Sequence, residues 1–312
     1  MVATHPSPGA GTECGLNSPD DCGVPRDTTL ELRFDRYLLP VTAVRQSITV
    51  YSGNEELSLF AQPEYDLVER VLVFKLPTLE PGARYTVELL VPKTEVDLGF
   101  RAFDQAPLEE ADIPLSFDFR TQKLEPPPPD PNAPPPYIPP YNTTCKLLDA
   151  LYYGDDPKKY AGCATVGCHS GTTARMGLRF DTATGLVQTA LGRVAHQTES
   201  GAKTGVPLEH PPRLGVNMPI IDRGRPENSY LMYKLLRNPR NFSGEPGVGC
   251  TTIHKVPLPA GVCPEPSAAE SARLHDYFVR GLPMPYNESS ADLRGIQAWI
   301  RDTTIAAECA TE

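Results

Sequence analysis

Between Lys123 and Tyr141 the chain reads KLEPPPPDPNAPPPYIPPY, and no other stretch limits its fold as strongly. Proline holds φ near about −65° and has no amide proton to donate, so a run this dense can join neither a helix nor the interior of a sheet. It favours extended polyproline II and acts as a semi-rigid spacer. Residues 123–142 are therefore expected to be a linker between two domains, a number in keeping with a chain of 312 residues. The 35 prolines exceed the usual share for this length, which predicts irregular loops outside the linker as well.

The two sides of the linker differ in period. From Thr28 to Arg120 apolar residues recur at every second position: Leu30, Leu32 and Phe34; Ile48 and Val50; Val71 and Val73; Tyr85, Val87 and Leu89; Leu115, Phe117 and Phe119. Turn signals such as Ser52-Gly53-Asn54 and Pro81-Gly82-Ala83 separate the runs, which predicts an antiparallel β-sandwich over residues 25–122. Residues 1–24 are rich in Gly, Pro, Ser and Asp without periodicity and are expected to form a flexible arm carrying Cys14 and Cys22. After Asn142 the period is helical. Ser267 with Glu270 forms a capping box before Leu274, Tyr277 and Phe278, with Gly281 as the stop; Ser289 with Asp292 opens a helix bearing Leu293, Ile296, Trp299 and Ile300. Shorter helices are expected around Leu147, Leu148 and Leu151 and from Ser229 to Leu236, so residues 143–312 read as a mainly α domain with long loops.

The order of features on the β side, from Pro25-Arg26-Asp27-Thr28-Thr29 through Leu79-Glu80-Pro81-Gly82-Ala83-Arg84-Tyr85 to Phe117-Asp118-Phe119, resembles bacterial Ig-like domains of cell-surface and exported proteins. The resemblance covers about a third of the chain and implies a spacer or binding module, not a chemistry.

A formal charge of −10 gives no attraction to nucleic acid or to an anionic membrane surface. No stretch approaches the roughly 18 apolar residues that span a bilayer. Met1 to Pro6 shows neither a charged n-region nor an apolar h-region, whereas eight cysteines at these spacings fit an oxidising compartment. An exported protein whose leader has been removed reconciles the two observations.

The residues that carry chemistry are Cys163-Ala164-Thr165-Val166-Gly167-Cys168-His169. Two thiols followed at once by an imidazole suit covalent haem, since two thioether bonds anchor the vinyl edges of a porphyrin while the adjacent histidine reaches the iron. The common signature has two residues between the cysteines and this one has four. A disulfide between Cys163 and Cys168 and a zinc site are the competing readings; zinc would need two further ligands, and no second Cys-x-x-Cys or His-x-x-x-His pair supplies them. From Cys163 to Gly171, through Gly177-Leu178-Arg179-Phe180-Asp181, Pro226 to Leu235 and Leu282-Pro283-Met284-Pro285, to Gln297-Ala298-Trp299-Ile300, the chain resembles the haem domain of small monohaem c-type cytochromes. The match runs over roughly the last half of the chain.

That resemblance implies one covalent haem c, bound by Cys163 and Cys168, with His169 as the proximal iron ligand. It also implies a methionine from a late Met-Pro loop on the other face, for which Met284 is the first candidate and Met218, in Gly215-Val216-Asn217-Met218-Pro219, the rival. Trp299 is expected to cover the Met284 side of the pocket. His196, His210, His254 and His275 are each read as loop or surface histidines that would serve only in a bis-histidine site. The other six cysteines allow three bridges: Cys14–Cys22, Cys250–Cys263 and Cys145–Cys309, with Cys309 as a free or interchain thiol being the alternative. Asp20-Asp21 and Asp155-Asp156 read as solvated turns.

Three functions follow as expectations. The first is an exported monohaem cytochrome, in the periplasm or at the cell surface, that passes electrons to a redox partner attracted by its acidic charge. The second is a haem enzyme or sensor with an open axial site for peroxide or a gas. The third is a haem-free, disulfide-stapled binding protein.

Overall fold

A computed structural model of the chain describes residues 1–126, 141–153, 162–198, 217–238, 252–253, 256–257, 268–279, 284–285 and 291–309, apart from residues 2, 16, 58–62, 95–96, 110–112, 166, 278 and 308. The chain divides into two compact units, Met1–Pro134 with Gly249–Glu265, and Pro135–Val248 with Pro266–Glu312. Their division falls within the proline-rich segment, most of which lies outside the described residues.

The first unit holds β1 (Ala3–His5), β2 (Thr29–Arg33), β3 (Ile48–Ser52), β4 (Glu55–Glu56), β5 (Pro63–Asp66), β6 (Val71–Lys75), β7 (Arg84–Leu89) and β8 (Ser116–Arg120). They form two antiparallel sheets in the orders β1-β2-β6-β5 and β4-β3-β7-β8. Alternation gives each sheet one apolar face: Leu30, Leu32 and Phe74 from the first and Ile48, Val50, Tyr85, Val87, Phe117 and Phe119 from the second are buried. In β6 the inward residues are Leu72 and Phe74, both fully buried, rather than Val71 and Val73. Every residue from Val71 to Phe74 is apolar, so composition there leaves the phase open and the register with β2, Leu32 opposite Leu72, decides it. Two of the first unit's buried polar groups are paired across it: the Tyr65 hydroxyl accepts from Leu38 N at 3.0 Å, and Arg33 donates to the Glu69 carboxylate at 3.0 Å.

Residues 1–24 are not a flexible arm. Ala3–His5 pairs with Arg33–Glu31 as an edge strand, Gly9 N donates to Asp118 O at 2.7 Å, and Cys14, buried, is bridged to Cys22 with Cα atoms 5.8 Å apart. Main-chain hydrogen bonds and one disulfide fix a segment whose side chains show no periodicity, which is why composition misreads it. Gly249–Glu265 is a second difference from the expected boundaries. This stretch holds β9 (Thr252–Ile253) and β10 (Val256–Pro257), an antiparallel pair, and belongs to the first unit, so the second unit is not one run from 143 to 312.

The second unit contains α1 (Thr144–Tyr153), α2 (Ala183–Thr189), α3 (Tyr230–Leu236), α4 (Ala268–Tyr277) and α5 (Leu293–Arg301), joined by long loops and single 3-10 turns. The chain as a whole is thus a mixed β and α protein. In α5 the stripe Leu293, Ile296, Trp299 and Ile300 is buried, as its 3.6-residue spacing predicts. Its cap is Asp292, whose carboxylate accepts from Gly295 N at 2.8 Å; Ser289 lies outside the described residues. Gly295 is required there because a β-carbon would run into Asp292 and the Tyr141 ring. The helix α2 has no counterpart in the expectations. It is opened by Thr182, whose hydroxyl accepts from Gly185 N at 3.0 Å, but its sequence ATGLVQT carries a glycine and β-branched residues that depress helix propensity. The disulfide Cys145–Cys309, Cα atoms 5.3 Å apart, ties α1 to the segment after α5. No helix among the described residues is long and apolar enough to cross a membrane.

Candidate functional site

The Cys163–His169 segment is a tight loop after α1, held by its own backbone. Ala164 N donates to Leu151 O of α1 at 2.9 Å, Cys168 N to Thr165 O at 3.0 Å and His169 N to Cys163 O at 3.1 Å. Gly167, with φ +83°, supplies the left-handed turn that brings the two cysteines round. Downstream, Phe180 N donates to His169 O at 2.9 Å, so the chain doubles back beside the histidine.

This return orients the imidazole. His169 Nδ1 lies 3.2 Å from Leu178 O, and the Phe180 ring packs edge-on against the imidazole at 5.6 Å between centroids. A carbonyl partner assigns a proton to Nδ1, as in metal-ligating histidines, whose other ring nitrogen donates to a carbonyl. Burial pulls the imidazole's pKa below its ordinary value, keeping the ring neutral.

Next to the loop is a cavity of about 540 Å³, within the size range of ligand and cofactor pockets. Cys163 and His169 line it on one side and Met284 also reaches it, over a hundred residues away in sequence. Phe180, Ile220 and Leu231 give it apolar walls, and α2 contributes Gln188 and Thr189. The residue after Met284, Pro285, is buried and accepts through its carbonyl from Asn238 Nδ2 at 3.0 Å, just after α3. Cys168 is half-buried and does not line the cavity.

The remaining expected site residues are distributed less simply. Met218 is buried, does not line the cavity, and gives its carbonyl to Ala195 N at 2.9 Å, so its side chain is core. Trp299 does not cover the pocket. It is fully buried on α5, with the Arg223 guanidinium 4.2 Å above its ring. An indole large enough to close a pocket is here used to fill the core between α5 and the Arg223 loop. Of the histidines, His196 lines the cavity while His275, on α4, does not; His210, His254 and the Cys250–Cys263 pair fall outside the described residues. Among the cavity residues that no motif marked are Gln188, Arg193 and Val194, on α2 and the loop after it, together with Arg175 and Ile220.

Cys163 and Cys168 are both free thiols, and burial pushes the Cys163 thiol up to about 12. Among the described residues the one group of three His, Cys, Asp or Glu donors that converges within 4.8 Å is Glu13, Cys14 and Cys22, and its two sulfurs are already joined to each other. Cys163, Cys168 and His169 do not form such a group.

No known family profile matches the chain, and neither does any curated protein. Among solved structures, the N-terminal part of the bacterial S-layer protein SbsC is similar at 18% identity over 31% of this chain and 21% of that one, with a TM-score of 0.24. A longer piece of the same S-layer protein is similar at 17% identity over 32% and 13% of the two chains, again with a TM-score of 0.24. The chain spans less than a quarter of the length of either structure, and overlap at this score carries no argument about fold or function.

Proposed function

We propose that the second unit binds one covalent haem c in the cavity beside Cys163–His169, and that the protein is an exported electron carrier. The observation that carries this reading is the convergence of Cys163, His169 and Met284 on one cavity, with His169 Nδ1 engaged by Leu178 O. Haem held there would supply a one-electron couple between ferric and ferrous iron. His169, through Nε2, and Met284, through its thioether, would be the residues that hold the iron. Cys163, on the cavity wall, and Cys168, which attachment would have to draw toward the cavity, would bond the vinyl edges, while Phe180, Ile220 and Leu231 exclude water. A methionine opposite a histidine raises the reduction potential and leaves no open position for substrate, as suits a carrier.

For the first unit the finer reading is an Ig-like sandwich acting as a spacer or docking module in the cell envelope. Two antiparallel sheets with one apolar face each support it, since such faces are buried most simply against each other. Two disulfides support an oxidising compartment, the periplasm or the cell surface.

The test is the mass of the protein from its native host. A shift by one haem that survives denaturation is expected, and haem stain on a denaturing gel should vanish when Cys163 and Cys168 are both replaced by Ala. An unshifted mass would sink the cofactor and the electron-carrier reading together.

A further inference from the structure

The two disulfides stand in different surroundings. Cys14 is buried, and the Glu13 carboxylate lies within 4.8 Å of its sulfur and of the Cys22 sulfur. A thiolate released there would be desolvated or held beside a carboxylate, and burial closes the direct approach to Cys14. Cys145 and Cys309 are instead each half-buried and line an open groove of about 590 Å³ in the second unit, with Leu148 and Asp149 of α1 and with Asp181 and Thr182 ahead of α2.

Within that groove the two sulfurs are not equivalent. Cys145 is the second residue of α1, whose entry is capped by the Thr143 hydroxyl, which accepts from Lys146 N at 3.2 Å. The first-turn amides and the helix dipole stabilise a thiolate at that position. Cys309 lies in no helix. Asp149 and Asp181 disfavour a thiolate anywhere in the groove, but two bonded sulfurs share that field, whereas the helix terminus acts on Cys145 alone. In thiol–disulfide exchange the sulfur of lower pKa leaves faster, which directs attack to Cys309.

The bridge is also linked to the site. The first turn of α1 is held to the segment after α5 by the disulfide and by the Thr144 hydroxyl, which donates to Ala306 O. Its last turn presents Leu151 O to Ala164 N, next to Cys163, at 2.9 Å.

We propose that Cys145–Cys309 is a latch, opened by a dithiol protein whose reactive thiol is flanked by positive charge, and that opening it loosens the Cys163–His169 loop. One thiolate of the partner bonds to Cys309 Sγ as the Cys145–Cys309 bond breaks, and Cys145 takes the electron pair and then a proton. The partner's second thiolate attacks the partner sulfur of the mixed disulfide and releases Cys309 as the second thiol. The bridge thereby gains two electrons and two protons, and the partner dithiol is oxidised to a disulfide. Asp149 and Asp181 select the partner's charge by repelling an anionic approach.

The test exposes the full chain, purified without reductant, briefly to cysteamine, a cationic thiol, or to 2-mercaptoethanesulfonate, an anionic one. Acid stops the exchange, and peptide mapping locates the adduct. Loss of Cys145–Cys309 is expected while Cys14–Cys22 stays intact, with cysteamine on Cys309 and Cys145 as a free thiol. Per thiolate, cysteamine should react about tenfold faster than the sulfonate, the gain of a cleft lined by one sign of charge. Asp149→Asn, at an exposed position, should shrink that ratio. Dithiothreitol sufficient to open this bridge alone should speed amide hydrogen exchange in residues 163–169 and leave β7 and β8 as they were. An adduct on Cys145, earlier opening of Cys14–Cys22, equal rates for the two thiols, unchanged exchange in residues 163–169, or exchange raised across the whole second unit would each overturn the proposal. Both arms read the bridge and the loop directly, so a failure of covalent haem leaves them standing, and their failure leaves covalent haem to its own test.

Discussion

The two units solve the problem of burial in different ways. In the first, the period of the backbone selects the core: every second residue of β3, β7 and β8 turns inward, and the interior is filled by side chains. In the second, short helices carry apolar stripes, but the loops between them leave a cavity of about 540 Å³. The first unit's cavity beside Phe34 and Phe100 is smaller, about 240 Å³. A core assembled from loops and single helical turns leaves the space that a cofactor would occupy, and it leans on a covalent bridge for stability.

The sharpest way to break this comparison is to open the bridges. Cys145 and Cys309 are 164 residues apart, and removing that bond by Cys145→Ser with Cys309→Ser should cost about 5 kcal/mol on chain-entropy grounds. Removing Cys14–Cys22, separated by eight residues, should cost about 2.5 kcal/mol. Calorimetry on each variant should show a different transition lowered, the second unit's in the first case and the first unit's in the other. Lowering of a single common transition by both variants would mean that the units do not melt separately.

Next in size is the contrast between two methionines. Met218→Ala deletes a buried side chain and should cost about 2–5 kcal/mol of stability without opening the iron. Met284→Ala should cost less stability but, if haem is bound as proposed, admit carbon monoxide to it and lower its potential. Carbon monoxide binding by the Met218 variant alone would reverse the assignment, and binding by neither would shift attention to His196, the one described histidine besides His169 that lines the cavity.

The smallest expected effect is a pH dependence. Lys234 in the folded, haem-free chain titrates near 8, below its ordinary 10.5, so the unfolded chain binds more protons between those values. Stability of the haem-free protein should therefore rise as pH increases through about 8 to 10.5, and Lys234→Met should flatten that rise. A thermal melt followed across this range checks the sign. An unaltered slope in the variant would assign the rise to other groups.

What was legible in the sequence follows the same divide. Period-two runs gave the inward faces of β2, β3, β7 and β8 because polar residues alternate with apolar ones; in β6 four successive apolar residues carry no phase, and the sheet register sets it. The stripe of α5 was legible for the same reason, whereas α2 was not, its start depending on one threonine hydroxyl rather than on any periodic pattern. The N-terminal segment was misread because main-chain hydrogen bonds to Glu31–Arg33 and Asp118 leave no trace in side-chain composition. At the site, Cys163, Cys168 and His169 announce themselves by spacing, and Met284 by its proline-flanked loop. Arg193 and Ile220, marked by no motif, come to the site only because they line the same cavity.

The Cys145–Cys309 bond also imposes a schedule. At ribosomal speed the 164 residues between the two take roughly 10–30 s to appear. Throughout that interval Cys145 is a thiol without its partner, on the same short stretch of chain as Cys163 and Cys168. In an oxidising compartment those two are its nearest wrong partners. Capping Cys163 and Cys168 before Cys309 arrives would remove that competition, so attachment at the first pair would also protect the pairing of the second.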